Sequence, residues 1–159
     1  TSLGNFTLSL FPEDAPATVK NFSAYVEENF YNSTIFHRVI DGFMIQGGGF
    51  DKNLEEKSTK EPIQNEANNG LSNKALTIAM ARTSEPHSAS SQFFINLVDN
   101  TFLDFNEETS DGWGYAVFGE VTEGQNTIFK IGKVQTGSRG FFQDVPVKPI
   151  EIQKITKLT

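Results

Sequence analysis

A chain of 159 residues is one ordinary domain in size, read here as a single domain over residues 1–159. It holds no Cys, which excludes disulfides, thiolate zinc centres and a cysteine nucleophile. Its 13 basic against 20 acidic side chains leave a net charge of −7, the wrong balance for gripping a phosphate backbone. No apolar run approaches the roughly 18 residues of a membrane span, so neither nucleic acid nor membrane is expected as a partner. Phe outnumbers the other aromatics, with 15 Phe against one Trp and three Tyr. Phe has no polar handle, so it belongs in a dry core or an apolar pocket.

In chain order, Phe6, Leu8 and Leu10 alternate with polar neighbours, the period of a half-buried strand. Asp14 is a candidate N-cap and Pro16 suits a first helical turn. Val19, Phe22 and Val26 then form one apolar stripe of a helix that ends by Asn29. Residues 35–40 and 43–46 are short apolar runs split by the turn dipeptide Asp41-Gly42. Residues 51–74 read as a long surface loop, and loops of that length are usually functional or mobile. Buried strands are expected at 75–82 and 92–98, a loop at 104–114, a strand at 115–121 and a short helix at 125–131. Residues 136–146 read as loop, and Val147 to Leu158 as a closing strand. Many short strands separated by turns suggest an all-β barrel or sandwich with a helix over each end.

Most familiar chemistries find no support in these residues. Two histidines without a nearby ligand partner do not make a metal site. His37, inside an apolar run, reads as a hydrogen-bonded core histidine, and His87 as a solvated one. No Gly-x-Ser-x-Gly elbow occurs, so Ser88, Ser90 and Ser91 read as turn formers. Gly47-Gly48-Gly49 lacks the Lys-Ser/Thr of a phosphate loop and reads as a backbone bend at a strand end. What stands out is Arg38 inside an apolar strand. Strict alternation puts it on one face with Phe36 and Ile40, and His37 with Val39 on the other. Two readings stay open. Arg38 snorkels at a strand edge, or its guanidinium is held in an apolar cleft to grip a carbonyl or carboxylate.

The run Phe36-His37-Arg38-Val39-Ile40-Asp41-Gly42-Phe43-Met44-Ile45-Gln46-Gly47-Gly48 resembles the signature of the cyclophilins, the peptidyl-prolyl cis-trans isomerases. Ala79-Met80-Ala81, Ser91-Gln92-Phe93-Phe94-Ile95 and Tyr115 to Val121 fit the same family, in its order. The opening from Asp14 to Phe22 fits as well. The stretches Glu61 to Leu71 and Pro86-His87-Ser88-Ala89 are similar to the bacterial branch.

The resemblance implies a mainly β fold, a closed eight-stranded antiparallel barrel capped by two α-helices, with the substrate groove on its outside. It implies Arg38 and Gln46 as catalytic residues and Phe43, Met44, Phe94 and Leu103 as the proline pocket. The Arg82 backbone joins Gln46 as a groove donor, Gln92 and Ala81 line the peptide path, and His37 is structural. Two departures concern the rim. Phe102 stands where many eukaryotic members carry a Trp whose indole N–H contacts cyclosporin, so weak binding of cyclosporin A is expected. Tyr115 replaces a common His at the pocket wall and keeps a ring there. The implied partners are proline-containing peptides and unfolded or flexible protein segments. The implied protein is a monomer that uses no cofactor and no metal. Thr1 to Leu10 holds no basic region followed by an apolar block, and the expected setting is cytoplasmic, with periplasmic the alternative if a signal precedes Thr1.

Overall fold

Alternation of side chains along short strands builds most of this molecule. The computed structural model describes residues 1–158. Among them are β1 (Thr7–Leu10), α1 (Pro16–Glu27), β2 (Thr34–Ile35), β3 (Arg38–Ile40), β4 (Met44–Gly47), β5 (Thr77–Met80) and β6 (Phe93–Asn96). They are followed by β7 (Val117–Glu123), α2 (Gln125–Gly132), β8 (Thr136–Arg139), β9 (Phe142–Pro146) and β10 (Glu151–Ile152). Six strands form one antiparallel sheet in the order β1-β7-β5-β6-β4-β3, and β10 with β2 and β8 with β9 form separate ribbons.

The fold is mainly β with two helices, but backbone pairing among the described residues does not draw the expected closed ring. The sheet stops at β1 and β3. Two of the strands that would carry the ring onward are cut short. β2 gives way at Phe36-His37 to a step outside any strand, and β10 follows Pro149, which has no N–H to offer a ladder. Single contacts knit the parts together, with Ile35 N–H donating to Phe50 O (3.0 Å) and Phe36 N–H to Ile150 O (3.0 Å). The same break corrects the expected alternation: Phe36 and His37 are both buried, while Arg38 is exposed.

Within the sheet the alternation is clean and both faces are apolar. Ile45, Ile78, Met80, Phe93, Ile95 and Phe118 point into an interior that also takes Phe22 and Tyr25 of α1 and Ile128 and Ile131 of α2. Their immediate neighbours Met44, Ala79, Phe94 and Val117 point the other way, into a second cluster with Phe43, Leu103 and Tyr115. A sheet covered on both faces reads as continuous apolar runs rather than alternating ones, which is how 75–82 and 92–98 look in the sequence.

Three further expectations are corrected. Residues 136–146 are the β8–β9 hairpin, hidden by a polar sequence without alternation, and the strand expected over 147–158 shrinks to two residues. Helix α1 buries Thr18, Phe22 and Tyr25, so of the expected stripe only Phe22 is fully buried and Val19 and Val26 lie partly buried at the edge of that face. Asp14 does not cap it either: the N-cap is Ala15, without a side-chain bond. Glu66 does this work from the long 51–74 segment. Its carboxylate accepts from Ala17 N–H (3.3 Å), Thr18 N–H (2.7 Å) and the Thr18 hydroxyl (2.6 Å). An acidic group at the positive end of the helix also favours the macrodipole. Glu66→Ala is therefore expected to destabilise the fold by about 1–2 kcal/mol, read as a lower urea midpoint at unchanged slope.

Candidate active site

Register sets the first feature of the site. Arg38 pairs with Gln46 across β3–β4, Gln46 with Phe94 across β4–β6, and Phe94 with Ala79 across β6–β5. The four side chains share the outer face of the sheet and form one row running from a cation through an amide to an apolar wall. A cleft of about 270 Å³ opens over this row. Arg38 and Gln46 line one end. Phe43, Met44, Phe94 and Leu103 form an apolar pocket, with Ala81, Arg82 and Tyr115 completing the wall.

Nine of the eleven residues singled out from the sequence thus meet in one cleft. The other two stand next to it. Phe102 is 74% exposed and stacks on Phe43 with ring centroids 5.8 Å apart, extending the pocket outward at its rim. Gln92 lies behind Gln46 and accepts a hydrogen bond from it.

The polar end is ordered by a short chain of bonds. Arg38 Nη1 donates to Gln46 Oε1 (3.2 Å), and Gln46 Nε2 donates to Gln92 Oε1 (3.0 Å). The bond from Arg38 fixes which way the Gln46 amide faces. Gly49 makes room for the third member, since a Cβ there would lie 2.5 Å from Gln92 Cγ. Tight turning at Gly42, with φ +74°, returns the chain from β3 into β4 and brings Phe43 to the pocket.

Two guanidinium groups line the cleft, and their situations differ. Arg82 is tied down: its Nε donates to Gly114 O (3.0 Å), its Nη1 to Thr83 O (2.8 Å), and it lies 4.6 Å over the Tyr115 ring. Arg38 has only the neutral Gln46 as a side-chain partner. Among the described residues the ion pairs are Lys60–Glu28 and Lys133–Asp41, so no carboxylate within reach neutralises Arg38. Its charge is directed at whatever enters the cleft. Arg38 is thus exposed on the edge strand β3 and at the same time lines the cleft.

A family model for the cyclophilin type peptidyl-prolyl cis-trans isomerases matches residues 1–157. The chain belongs to this family. It is 56% identical over 156 residues to peptidyl-prolyl cis-trans isomerase B of Escherichia coli, covering 98% of this chain and 95% of that protein. It is 58% identical over 153 residues to peptidyl-prolyl cis-trans isomerase cyp18 of Streptomyces antibioticus, covering 96% and 92%. Among solved structures, it is similar to a cyclophilin type isomerase of Cryptosporidium parvum crystallised in the presence of the dipeptide Ala-Pro. The TM-score there is 0.80 at 26% identity, covering 96% of this chain and 91% of that one.

The histidines of this cyclophilin keep their expected places, His37 buried and His87 exposed, but their contacts differ from those expected. His87 is more than solvated: its Nδ1 accepts from Asn65 N–H (3.0 Å) and its ring meets Trp113 edge to face at 4.8 Å. His37 is buried behind Arg38 and packs on Phe50 at 4.6 Å, but its Nδ1 has no hydrogen-bond partner among the described residues. What the sequence reading missed is a set of buried amides, Asn73, Asn96 and Asn100. Asn96, at the end of the apolar run Phe93-Phe94-Ile95, was the available signal.

Burial, and then the adjacent Arg38 charge, push the His37 pKa down to about 4. In the unfolded chain the imidazole takes its proton near the usual 6.5. Between these values the unfolded state binds the extra proton, so stability falls as pH drops from about 6.5 to 4 and is level above that window. His37→Gln removes this term. The stability advantage of the natural protein over the variant, from urea unfolding at pH 7 and pH 4, is expected to shrink by on the order of 2–3 kcal/mol at the lower pH. An advantage equal at both values would mean that the folded imidazole still protonates freely.

Proposed function

We propose that the cleft takes the Xaa-Pro segment of a polypeptide and that Arg38 drives rotation about its amide bond. The observation that carries this reading is the row of Arg38, Gln46 and Phe94, an unneutralised guanidinium beside an apolar pocket. An Xaa-Pro amide turns slowly because resonance imposes a barrier of about 18–20 kcal/mol. Rotation becomes easier when the prolyl nitrogen turns pyramidal and gains a lone pair. A donor facing that nitrogen stabilises the twisted form and not the planar one, which is selective binding of the transition state.

The other parts support that step. Phe43, Met44, Phe94 and Leu103 hold the prolyl ring beside the guanidinium in planar and twisted forms alike. Gln46, its orientation set by Arg38 and Gln92, holds a flanking carbonyl while one side of the peptide turns. A rate gain of about 10⁵ corresponds to roughly 7 kcal/mol shared among these groups.

Arg38→Ala is expected to lower kcat/KM on a short Xaa-Pro peptide about 10²- to 10³-fold in a protease-free isomerisation assay. The circular dichroism spectrum should hold, because Arg38 is exposed and its side chain bonds only Gln46. Turnover like that of the natural protein in this variant would sink the mechanism. Peptide binding with negligible turnover in the natural protein would point instead to a binding module that uses the groove without catalysis.

We read the sheet and the two ribbons as wrapping one interior into a barrel, supported by an interior cluster that draws on β3 to β7, β10 and both helices. The protein is read as a monomer that assists folding of flexible, proline-containing segments in the cytoplasm. Weak cyclosporin A binding follows from Phe102, whose ring has no N–H to donate. Phe102→Trp is expected to strengthen inhibition by cyclosporin A about tenfold, the value of one hydrogen bond of about 1.4 kcal/mol, measured as the inhibition constant.

A further inference from the structure

Behind the pocket lies a buried polar cluster that the chemistry above does not use. Asn73 and Asn96 are fully buried and Asn100 is 3% exposed. Their bonds form a directed chain. Asn73 Nδ2 donates to Asp104 Oδ1 (3.1 Å), and Asn96 Nδ2 donates to Asn73 Oδ1 (3.1 Å). Asn100 Nδ2 donates to Asn96 Oδ1 (2.9 Å) and to Phe43 O (3.0 Å). An ionised carboxylate can only accept, so Asp104 turns the Asn73 amide NH₂ toward itself, and each amide then turns the next.

The side chains of the cluster touch the backbone of two pocket residues, Phe43 and Tyr115, and the Asn100 main chain touches a third, Leu103. Asn100 holds Phe43 through its carbonyl. Asn100 O accepts from Leu103 N–H (3.0 Å), and Leu103 O from Tyr115 N–H (2.9 Å). Asn73 Nδ2 also donates to Tyr115 O (3.3 Å). Phe43, Leu103 and Tyr115 belong to different segments. Backbone bonds tie Tyr115 to Leu103 and Phe43 O to Leu97 N–H (2.9 Å), and the Asn100 side chain adds the bond from Phe43 to the segment that carries Leu103.

We propose that Asn100, oriented through Asn96 and Asn73 by Asp104, is a positioning residue that sets the width of the prolyl pocket. This rests on the reading of the cleft as an Xaa-Pro site. The pocket grips the prolyl ring alike in the planar and twisted forms, whereas Arg38 acts on the twisted form alone. A loosened pocket therefore loses uniform binding and raises KM, with kcat retained. Mere destabilisation lowers the folded fraction and hence the apparent kcat, and leaves KM where it was.

The test is steady-state isomerisation of a short Xaa-Pro peptide by the full chain with Asn100→Ala. Thr77→Val serves as the control, because it breaks the bond from Asn96 Nδ2 to Thr77 Oγ1 (2.9 Å) in the same cluster without touching the pocket backbone. Asn100→Ala is expected to raise KM five- to twentyfold with kcat per folded molecule within twofold, and Thr77→Val to leave KM unchanged. Should Asn100→Ala fail to fold, Asn100→Ser carries the same test, with an expected rise of at least threefold. A KM equal to that of the natural protein in a folded Asn100 variant, or an equal rise in Thr77→Val, overturns the proposal. Absence of turnover in the natural protein overturns the isomerase reading first, and is thereby distinguished from failure of the positioning role.

Discussion

Everything in this molecule hangs on the pleat of one sheet. Successive strand side chains point to opposite faces, so Phe93 enters the interior and Phe94 faces the cleft, as Ile45 does beside Met44 and Phe118 beside Val117. A one-residue slip of any of these strands would exchange core for pocket and turn Arg38 or Gln46 inward. The interior forbids that slip, because burying a guanidinium without a partner costs far more than the strands gain. The core thus stabilises the fold and also fixes which residues the outer face presents.

The outer face adds a polarity gradient to that register. Arg38 is kept from any carboxylate and bonded to a neutral amide, while Gln46 is held from both sides and cannot act as a free rotor. A charge beside Arg38 would have lowered its free energy and blunted its pull on a substrate. Arg82 is bonded to two carbonyls and covers Tyr115, so it acts as wall rather than as a second free cation. The contrast between the two arginines is set by what surrounds each of them.

Legibility in the sequence followed the range of the interactions. The cleft residues were readable because they lie in short contiguous runs, from Arg38 to Gln46 and from Gln92 to Phe94, whose spacing matches a known family. The strands β5, β6 and β7 were readable because their apolar runs are dense. Pairing at the ends of the sheet was not, since it turns on where ladders break, at Phe36-His37 and around Pro149. The β8–β9 hairpin was lost because Gly137, Ser138 and Gln143 carry no alternation. Capping of α1 was misassigned to Asp14 because local pattern favours a near residue, whereas Glu66 arrives from 48 positions away. Only tertiary structure brings such a partner into place.

The buried amides show the same limit at the site itself. An Asn in a sequence reads as turn or surface, and three of them inside a small protein look costly when taken singly. Here each is satisfied by the next, and the chain ends on a carboxylate at one side and a main-chain carbonyl at the other. An apolar filling of the same space would pack, but it would tolerate small shifts of Phe43 against Leu103. Hydrogen bonds with both ends fixed do not, because their strength falls steeply with distance and angle. Where three segments joined by only a few backbone bonds must hold a five-membered ring between them, directional polar contacts behind an apolar wall are a physical means of holding their spacing.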